Sequence, residues 1–174
     1  IAFNRKLDED TANRVMELFA EVIIAPEVDK RAMNVLGAKK NLRVLTTGVM
    51  PDAGEMSMSV QSLAGGYLIQ SRDQSVVSKM KIVTKRSPTA REKADLQFAF
   101  TVCKHVKSNA IVYCKEGMTV GIGAGQMSRV NSARIASWKA NDAARSAGDE
   151  VSWSKGSVVA SDAFFPFADG DRKS

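Results

Sequence analysis

The segment "SNAIVYCKEGMTVGIGAGQMSRVNSARIA", residues 108–136, decides the fold of the second half of the chain. Two apolar runs flank the charged turn "KEGM" and predict a β-hairpin. A glycine run then leads into a basic helix whose first turn contains Arg129. Because glycine lets another group approach the main chain closely, this stretch favours either tight packing or a phosphate ligand.

The glycine run matches neither of two common phosphate-binding motifs. A dinucleotide fingerprint requires glycine where Gln126 stands, and a Walker loop requires lysine and a hydroxyl residue after its last glycine. Arg129 is more informative, because a cation in the first turn faces the positive end of the helix dipole, at a cost of a few tenths to about 1 kcal/mol. We therefore expect an electron-rich group beside Arg129, from a ligand or from elsewhere in the chain.

Composition sets broad limits on the class of protein. The 174 residues, 44% of them hydrophobic, suffice for one ordinary domain or two small lobes. No apolar run approaches the roughly 20 residues that span a bilayer, and the first residues lack a basic stretch followed by an apolar one. Cys103 and Cys114 have neither CxxC nor Cys/His spacing. These features predict a cytoplasmic protein with buried thiols and no membrane partner.

The charge balance does not favour a nucleic-acid partner. The chain carries 25 basic and 19 acidic residues, a net charge of +6, and the basic residues are scattered among the acids. Aromatic residues make up 6%, too few for an interleaved stacking surface. A basic nucleic-acid-binding domain is nevertheless kept as a functional hypothesis. Steeply salt-dependent binding to DNA or RNA would identify it.

The first half of the chain predicts alternating helices and strands. Apolar residues recur at helical spacing after the acidic start, at Ala12, Val15, Met16 and Phe19. "EVIIAP" and "NLRVLTTG" are typical of strands, and Asp29 is the expected cap of the helix between them. This order of elements predicts an α/β fold with helices packed on a sheet.

A second lobe is expected to begin near residue 86. Thr89 and Glu92 have the spacing of a capping box, and the helix expected over 88–107 is apolar nearly all round, which predicts a buried helix. The helix after the glycines carries a stripe of small residues suited to close packing on a sheet: Ala133, Ala136, Ala140 and Ala144. "SVVAS" at 157–161 predicts a last strand.

Two further features are candidates for a site. Asn109, at the start of a strand, has a side-chain amide that can donate to a developing oxyanion, although it also suits an ordinary strand end. "SDAFFPFADG", residues 161–170, predicts either a hydrophobic plug or a slot for a heteroaromatic ring with a carboxylate at its rim. His105 is the one histidine, and we expect it to be structural.

Together these motifs resemble a known family. "VKSNAIVY", "VGIGAGQMSR" and "ASDAFFPF", in this order, resemble the aminoimidazole carboxamide ribonucleotide (AICAR) formyltransferase region of the bifunctional purine biosynthesis enzymes. "IAFNRKLD", "EVIIAP", "AKKNLR" and "IVTKR" extend the resemblance over nearly the whole chain. It implies two cytidine deaminase-like lobes with a mixed sheet. Residues 1–85 would be the latter part of the first transformylase lobe and residues 86–174 the first part of the second.

The resemblance also implies an activity and its site. Members transfer a formyl group from 10-formyltetrahydrofolate to AICAR, carry an inosine monophosphate (IMP) cyclohydrolase in the same protein, and act as homodimers. Asn109 is the implied catalytic amide, and Glu21, a weaker assignment, lies near AICAR. The implied folate-binding residues are Arg129, Val130, Phe164, Pro166 and Asp169.

Metal ligands are less well supported by the resemblance. Ser108 and Asp162 match positions where some members hold a structural potassium ion, but Ala110 replaces a serine found in some relatives, so no metal is assigned. A zinc deaminase is excluded on chemistry, because no Cys or His occupies the strand–turn–helix where such enzymes hold their metal.

The departures from the family pattern limit what this chain can do alone. The family's catalytic Lys-His dyad precedes the stretch that "IAFN" continues, and a substrate-binding Arg with a His-containing end follows downstream. We therefore expect residues 1–174 to be a fragment that is inactive in isolation. The alternative is a non-catalytic module that binds folate or a nucleotide without turnover.

Overall fold

The computed structural model describes residues 1–52, 54–75, 77 and 79–163. This part of the chain is mixed α/β, with four helices and three small sheets. In chain order the elements are α1 (Glu9–Met16), β1 (Val22–Ala25), α2 (Lys30–Leu36), β2 (Arg43–Thr46), β3 (Met58–Leu63), β4 (Gly66–Ser71), α3 (Ala90–Cys103), β5 (Ile111–Lys115), β6 (Met118–Gly123), α4 (Arg129–Ser146) and β7 (Val158–Ser161).

The chain divides into two compact units, residues 1–75 and residues 76–174. The interpretation of residues 1–85 and 86–174 as parts of two transformylase lobes stays a prediction. None of the helices in the described residues has the length and apolar character that a bilayer crossing requires.

The first unit has the predicted order of helices and strands. β1 and β2 pair in parallel, with Val22 opposite Arg43, and α1 packs against α2. β3 and β4 form a separate antiparallel hairpin. One core joins the helices to β1, and its buried residues are Leu7, Ala12, Val15, Ile23, Ala25, Ala32 and Leu36.

Local caps explain where the first two helices begin. Asp8 accepts a hydrogen bond from the Thr11 backbone N–H, and Asp29 accepts one from the Arg31 N–H, each at 2.8 Å. The predicted cap at Asp29 is confirmed. Phe19 lies beyond the end of α1 and is 91% exposed, so its predicted place on the apolar face of that helix is wrong.

The second unit is built on an antiparallel sheet of order β6-β5-β7. β5 and β6 form the predicted hairpin, and its two turn residues, Glu116 and Gly117, have positive φ angles of 56° and 74°. This conformation matches the twist of the flanking strands. The buried Asp95 of α3 accepts hydrogen bonds from both turn N–H groups, at 3.0 and 2.8 Å. One carboxylate therefore ties the helix to the hairpin turn.

α3 begins at the predicted capping box, in which Thr89 and Glu92 exchange hydrogen bonds. β5 and β7 pack against one side of this helix, where the buried residues are Asp95, Ala99 and Cys103. Phe98 and Phe100 are 38% and 47% exposed. The prediction of a helix buried all round is therefore wrong for the described chain, because the sheet covers a single side.

α4 packs on β6 along the predicted small-residue stripe. A Cβ atom at Gly121 would overlap the carbonyl oxygen of Ala136, and one at Gly123 would overlap the carbonyl oxygen of Ser132. The absence of Cβ atoms therefore lets the helix backbone lie directly on the strand. Ala133 is partly exposed, whereas the buried residues of α4 are Ser132, Ala136, Ala140 and Ala144.

Candidate functional site

The ends of three elements meet at one edge of the antiparallel sheet. Residues 108–110 lead into β5, Arg129 is the first residue of α4, and Asp162 directly follows β7. Ile111, the first residue of β5, pairs with the last residues of both β6 and β7. The sheet register therefore brings polar side chains from distant parts of the sequence together.

Asp162 is the central acceptor of this group. Its Oδ1 accepts hydrogen bonds from the Ala110 backbone N–H at 3.0 Å and from Arg129 Nη1 at 2.5 Å. Its Oδ2 accepts a hydrogen bond from the Ser108 hydroxyl. The side chains of Arg129 and Asp162 are 11% and 19% exposed, so this ion pair is largely shielded from water. Three donors thus satisfy the carboxylate.

The surroundings of Asp162 keep its carboxylate ionised. Burial by itself raises the pKa of this group, because it disfavours the charged form. The hydrogen bonds from Ser108, Ala110 and Arg129, together with the guanidinium charge, outweigh burial and lower the pKa from 3.8 to about 2. Asp162 is therefore a fixed anion at neutral pH and a very weak base.

Arg129 links Asp162 to Asn109. In addition to its ion pair, Nη1 donates to the Ser161 hydroxyl at 2.7 Å, and Nη2 donates to Asn109 Oδ1 at 3.0 Å. Asp162 is thus an electron-rich partner of the kind expected beside Arg129, and it comes from the chain itself. The carboxylate offsets the unfavourable interaction between a cation and the helix N-terminus.

The Asn109 amide is held at both of its polar atoms. Oδ1 accepts from Arg129, and Nδ2 donates to the Gln126 carbonyl oxygen at 2.8 Å. The backbone is held as well, because Asn109 O accepts from the Ser132 hydroxyl at 2.7 Å. An amide nitrogen carries two N–H groups, and the second one on Asn109 meets no acceptor among the described residues. It is the donor that a bound oxygen could use.

The remaining predicted folate residues are only partly described. Val130, next to Arg129 on α4, is exposed. Phe164, Pro166 and Asp169 lie outside the described residues. The folate-binding roles of these residues and of Arg129 stay predictions.

Glu21 lies in the first unit, immediately before β1. Its carbonyl oxygen accepts a hydrogen bond from the Arg43 backbone N–H at 2.9 Å. Glu21 lines a cavity of about 540 Å³ together with Phe19, Lys39 and Lys40. The role of Glu21 near AICAR stays a prediction.

The two cysteines and the histidine take no part in the described hydrogen bonds around Asn109. Cys103 and Cys114 are buried free thiols, as expected, and burial raises the pKa of both, that of Cys114 to about 11. His105 is exposed and follows α3, which ends two residues before it, so the prediction that it lies on a buried helix is wrong.

The potassium ion that the resemblance implies stays a prediction. Ser108 and Asp162 are in contact, but the carboxylate already accepts three hydrogen bonds, one of them from a guanidinium that neutralises its charge. In this part of the chain no three His, Cys, Asp or Glu side chains cluster in a way that could hold a metal ion.

The role of Asp162 as the partner of Arg129 was missed by sequence reasoning. The two residues are 33 positions apart, and the intervening segment contains a whole helix. The unfavourable location of Arg129 indicated that a partner exists. Only the pairing of β7 with β5 identifies which residue it is.

Comparison with known proteins identifies the family of the chain. The family described as "AICARFT/IMPCHase bienzyme" matches residues 1–139. The bifunctional purine biosynthesis protein PurH of Parvibaculum lavamentivorans is 61% identical over 172 residues, which cover 98% of this chain and 32% of that protein. Those of Rhodospirillum rubrum and Brucella ovis are each 59% identical over 98% of this chain. The chain spans about a third of the length of these relatives. It belongs to the AICARFT/IMPCHase bienzyme family.

Proposed function

We propose that the full-length protein containing this chain is an AICAR formyltransferase of purine biosynthesis, with an IMP cyclohydrolase in the same protein. The family match and the similarity to proteins named as bifunctional purine biosynthesis proteins support this proposal. Two cytidine deaminase-like lobes, a cytoplasmic location and a homodimer in the intact protein belong to the same proposal.

The observation that carries the mechanism is the fixed amide of Asn109. In formyl transfer the AICAR amine attacks the formyl carbon of 10-formyltetrahydrofolate, and the formyl oxygen gains negative charge. A preorganised N–H donor stabilises that charge more in the transition state than in the ground state. Asn109 has such a donor. Arg129 holds its Oδ1, and one N–H of its Nδ2 meets no acceptor among the described residues.

The transfer then proceeds by collapse of the tetrahedral intermediate. The bond between the formyl carbon and N10 of the folate breaks, and the new bond to the AICAR nitrogen remains. The proton lost by the amine must leave through a base, and N10 must receive one. Asn109 takes no proton in this scheme and acts only as a hydrogen-bond donor to the oxygen.

The folate is proposed to bind beside this amide. Arg129 and Val130 would form one part of its slot, Phe164 and Pro166 would line it, and Asp169 would accept hydrogen bonds from the pterin edge. Glu21 is proposed to lie near AICAR. Replacing Phe164 by Ala in the full-length protein should raise the folate KM while the melting temperature stays close to that of the wild type. An unchanged folate KM with a large loss of melting temperature would favour a hydrophobic plug instead.

The test of the function is a kinetic assay of the full-length protein with AICAR and 10-formyltetrahydrofolate. Asn109→Ala should lower kcat on the order of a hundredfold or more, with a much smaller change in the KM for AICAR. His105→Ala is the matched control, because His105 is exposed and lies outside the hydrogen-bond network around Asn109. Its kcat should equal that of the wild type.

The alternative function predicts a different outcome. A non-catalytic module would bind folate or a nucleotide, but the wild-type full-length protein would show no turnover. An Asn109→Ala variant with near-normal kcat would leave the family activity in place and remove Asn109 from the mechanism.

A further inference from the structure

We infer that Asp162 is a positioning residue for formyl transfer, which acts through Arg129 to hold the Asn109 amide with its N–H toward the reacting oxygen. The inference rests on the proposed function, because it concerns the same amide. It assigns to Asp162 a role in the reaction without contact with either substrate.

The Asn109 amide has two possible orientations. An asparagine side chain can exchange the places of its oxygen and nitrogen by a half turn. In the exchanged orientation Nδ2 would face the Arg129 guanidinium, donor against donor, and Oδ1 would face the Gln126 carbonyl, acceptor against acceptor. The observed bonds at 3.0 and 2.8 Å therefore select one orientation of Asn109.

Arg129 is itself held in place by its neighbours. An arginine side chain has several rotatable bonds, and one hydrogen bond to a neutral amide would not fix it. Nη1 is held by the Asp162 carboxylate at 2.5 Å and by the Ser161 hydroxyl at 2.7 Å. Charge-assisted bonds of this kind are the stronger ones, and this pair is mostly shielded from water. Asp162 is thus the anchor of the guanidinium.

The backbone of Asn109 is held by bonds that do not depend on its side-chain amide. Asn109 O accepts from the Ser132 hydroxyl, and Asn109 N donates to the Gln126 carbonyl at 3.2 Å. Neither bond involves Arg129. Asp162 also accepts from the Ala110 N–H and the Ser108 hydroxyl. An asparagine at this position keeps an oxygen that can accept from Ala110, so Asp162→Asn should leave the start of β5 near its place and release mainly the side-chain amide.

The test is a double-mutant cycle in the full-length protein. Asp162→Asn should lower kcat on the order of tenfold to a hundredfold, because a misplaced catalytic group loses most of its effect. The KM values for AICAR and folate should change less than about threefold. In an Asn109→Ala background the same substitution should change kcat by less than about threefold, because the amide that it orients is already gone. Asp149→Asn, which removes a carboxylate that accepts from Trp153, is the control with unchanged kcat.

A second variant keeps the inference testable if Asp162→Asn fails to fold. Arg129→Lys retains a cation for Asp162 but lacks the fork that reaches Asn109 as well. It should lower kcat to a similar extent at a melting temperature close to that of the wild type. An Arg129→Lys enzyme with wild-type kcat would overturn the inference. The inference would also be overturned if Asp162→Asn and Asn109→Ala lowered kcat independently, so that their effects multiply in the double mutant. A wild-type protein without turnover would instead overturn the proposed function.

Discussion

Gly123 of β6 lies directly beneath Ser132 of α4, so close that a Cβ atom on the glycine would overlap the serine carbonyl oxygen. The same serine donates its hydroxyl to the carbonyl oxygen of Asn109. The close approach of helix and strand thus has a consequence at the candidate site. It fixes how closely the first turn of α4 lies to the start of β5.

The first prediction follows from this contact. Gly123→Ala should lower the free energy of unfolding of the second unit by about 1–3 kcal/mol, because the helix must move away from the sheet. Both tryptophans, Trp138 and Trp153, lie in that unit, so urea unfolding followed by their fluorescence reports on it. Arg134→Ala, at an exposed position of α4 in the same unit, is the control, and it should change the free energy of unfolding by less than about 0.5 kcal/mol. Equal stability of the two variants would contradict the packing argument.

A second prediction concerns the turn between β5 and β6. Asp95→Asn removes one of the two acceptor oxygens that hold the Glu116 and Gly117 N–H groups, and places an N–H donor there instead. We expect a loss of about 1–3 kcal/mol, since a buried polar group is left unsatisfied. Hydrogen exchange should show faster exchange of both turn amides.

Asp52→Asn is the control for that prediction. Asp52 also accepts a hydrogen bond from a backbone N–H, that of Gly54, but in an exposed loop. Its substitution should change stability by less than about 0.5 kcal/mol. If the two variants lose the same stability, burial is not what makes Asp95 important.

The third prediction is a pH dependence of stability. The pKa of Asp162 is about 2 in the folded chain against 3.8 ordinarily, so the folded state binds fewer protons there. The stabilisation from ionised Asp162, about 2 kcal/mol, is fully present above about pH 5 and is lost as the pH falls through 4 towards 2. Asp162→Asn should therefore be less stable than the wild type at pH 7.

The measurement compares the two proteins by urea unfolding at several pH values. The difference between their free energies of unfolding should be constant from pH 7 to about 5 and should become smaller below pH 4. A difference in the free energy of unfolding that does not change down to pH 2.5 would mean that the ionisation of Asp162 contributes nothing to stability.

Local patterns predicted the elements of this fold better than the contacts between them. The cap at Asp29, the capping box of Thr89 and Glu92 and the hairpin around Gly117 depend on neighbouring residues, and all three are confirmed. The burial of Phe98 depends on what covers α3, which its own periodicity does not encode. The same limit explains why Arg129 indicated a partner but not that the partner is Asp162.

The last prediction is that the purified chain of residues 1–174 does not transfer a formyl group. The AICAR amine is a poor nucleophile, because its ring and carboxamide withdraw the lone pair, so the reaction needs a base within hydrogen-bond reach. Among the residues that the structure describes, the charged groups held around Asn109 are Arg129, a guanidinium with hydrogen-bond donors but no acceptor, and Asp162, whose pKa of about 2 makes it too weak a base. The assay uses this chain with AICAR and 10-formyltetrahydrofolate. Turnover above background that disappears in His105→Ala would contradict the prediction, because it would mean that the exposed histidine is the base.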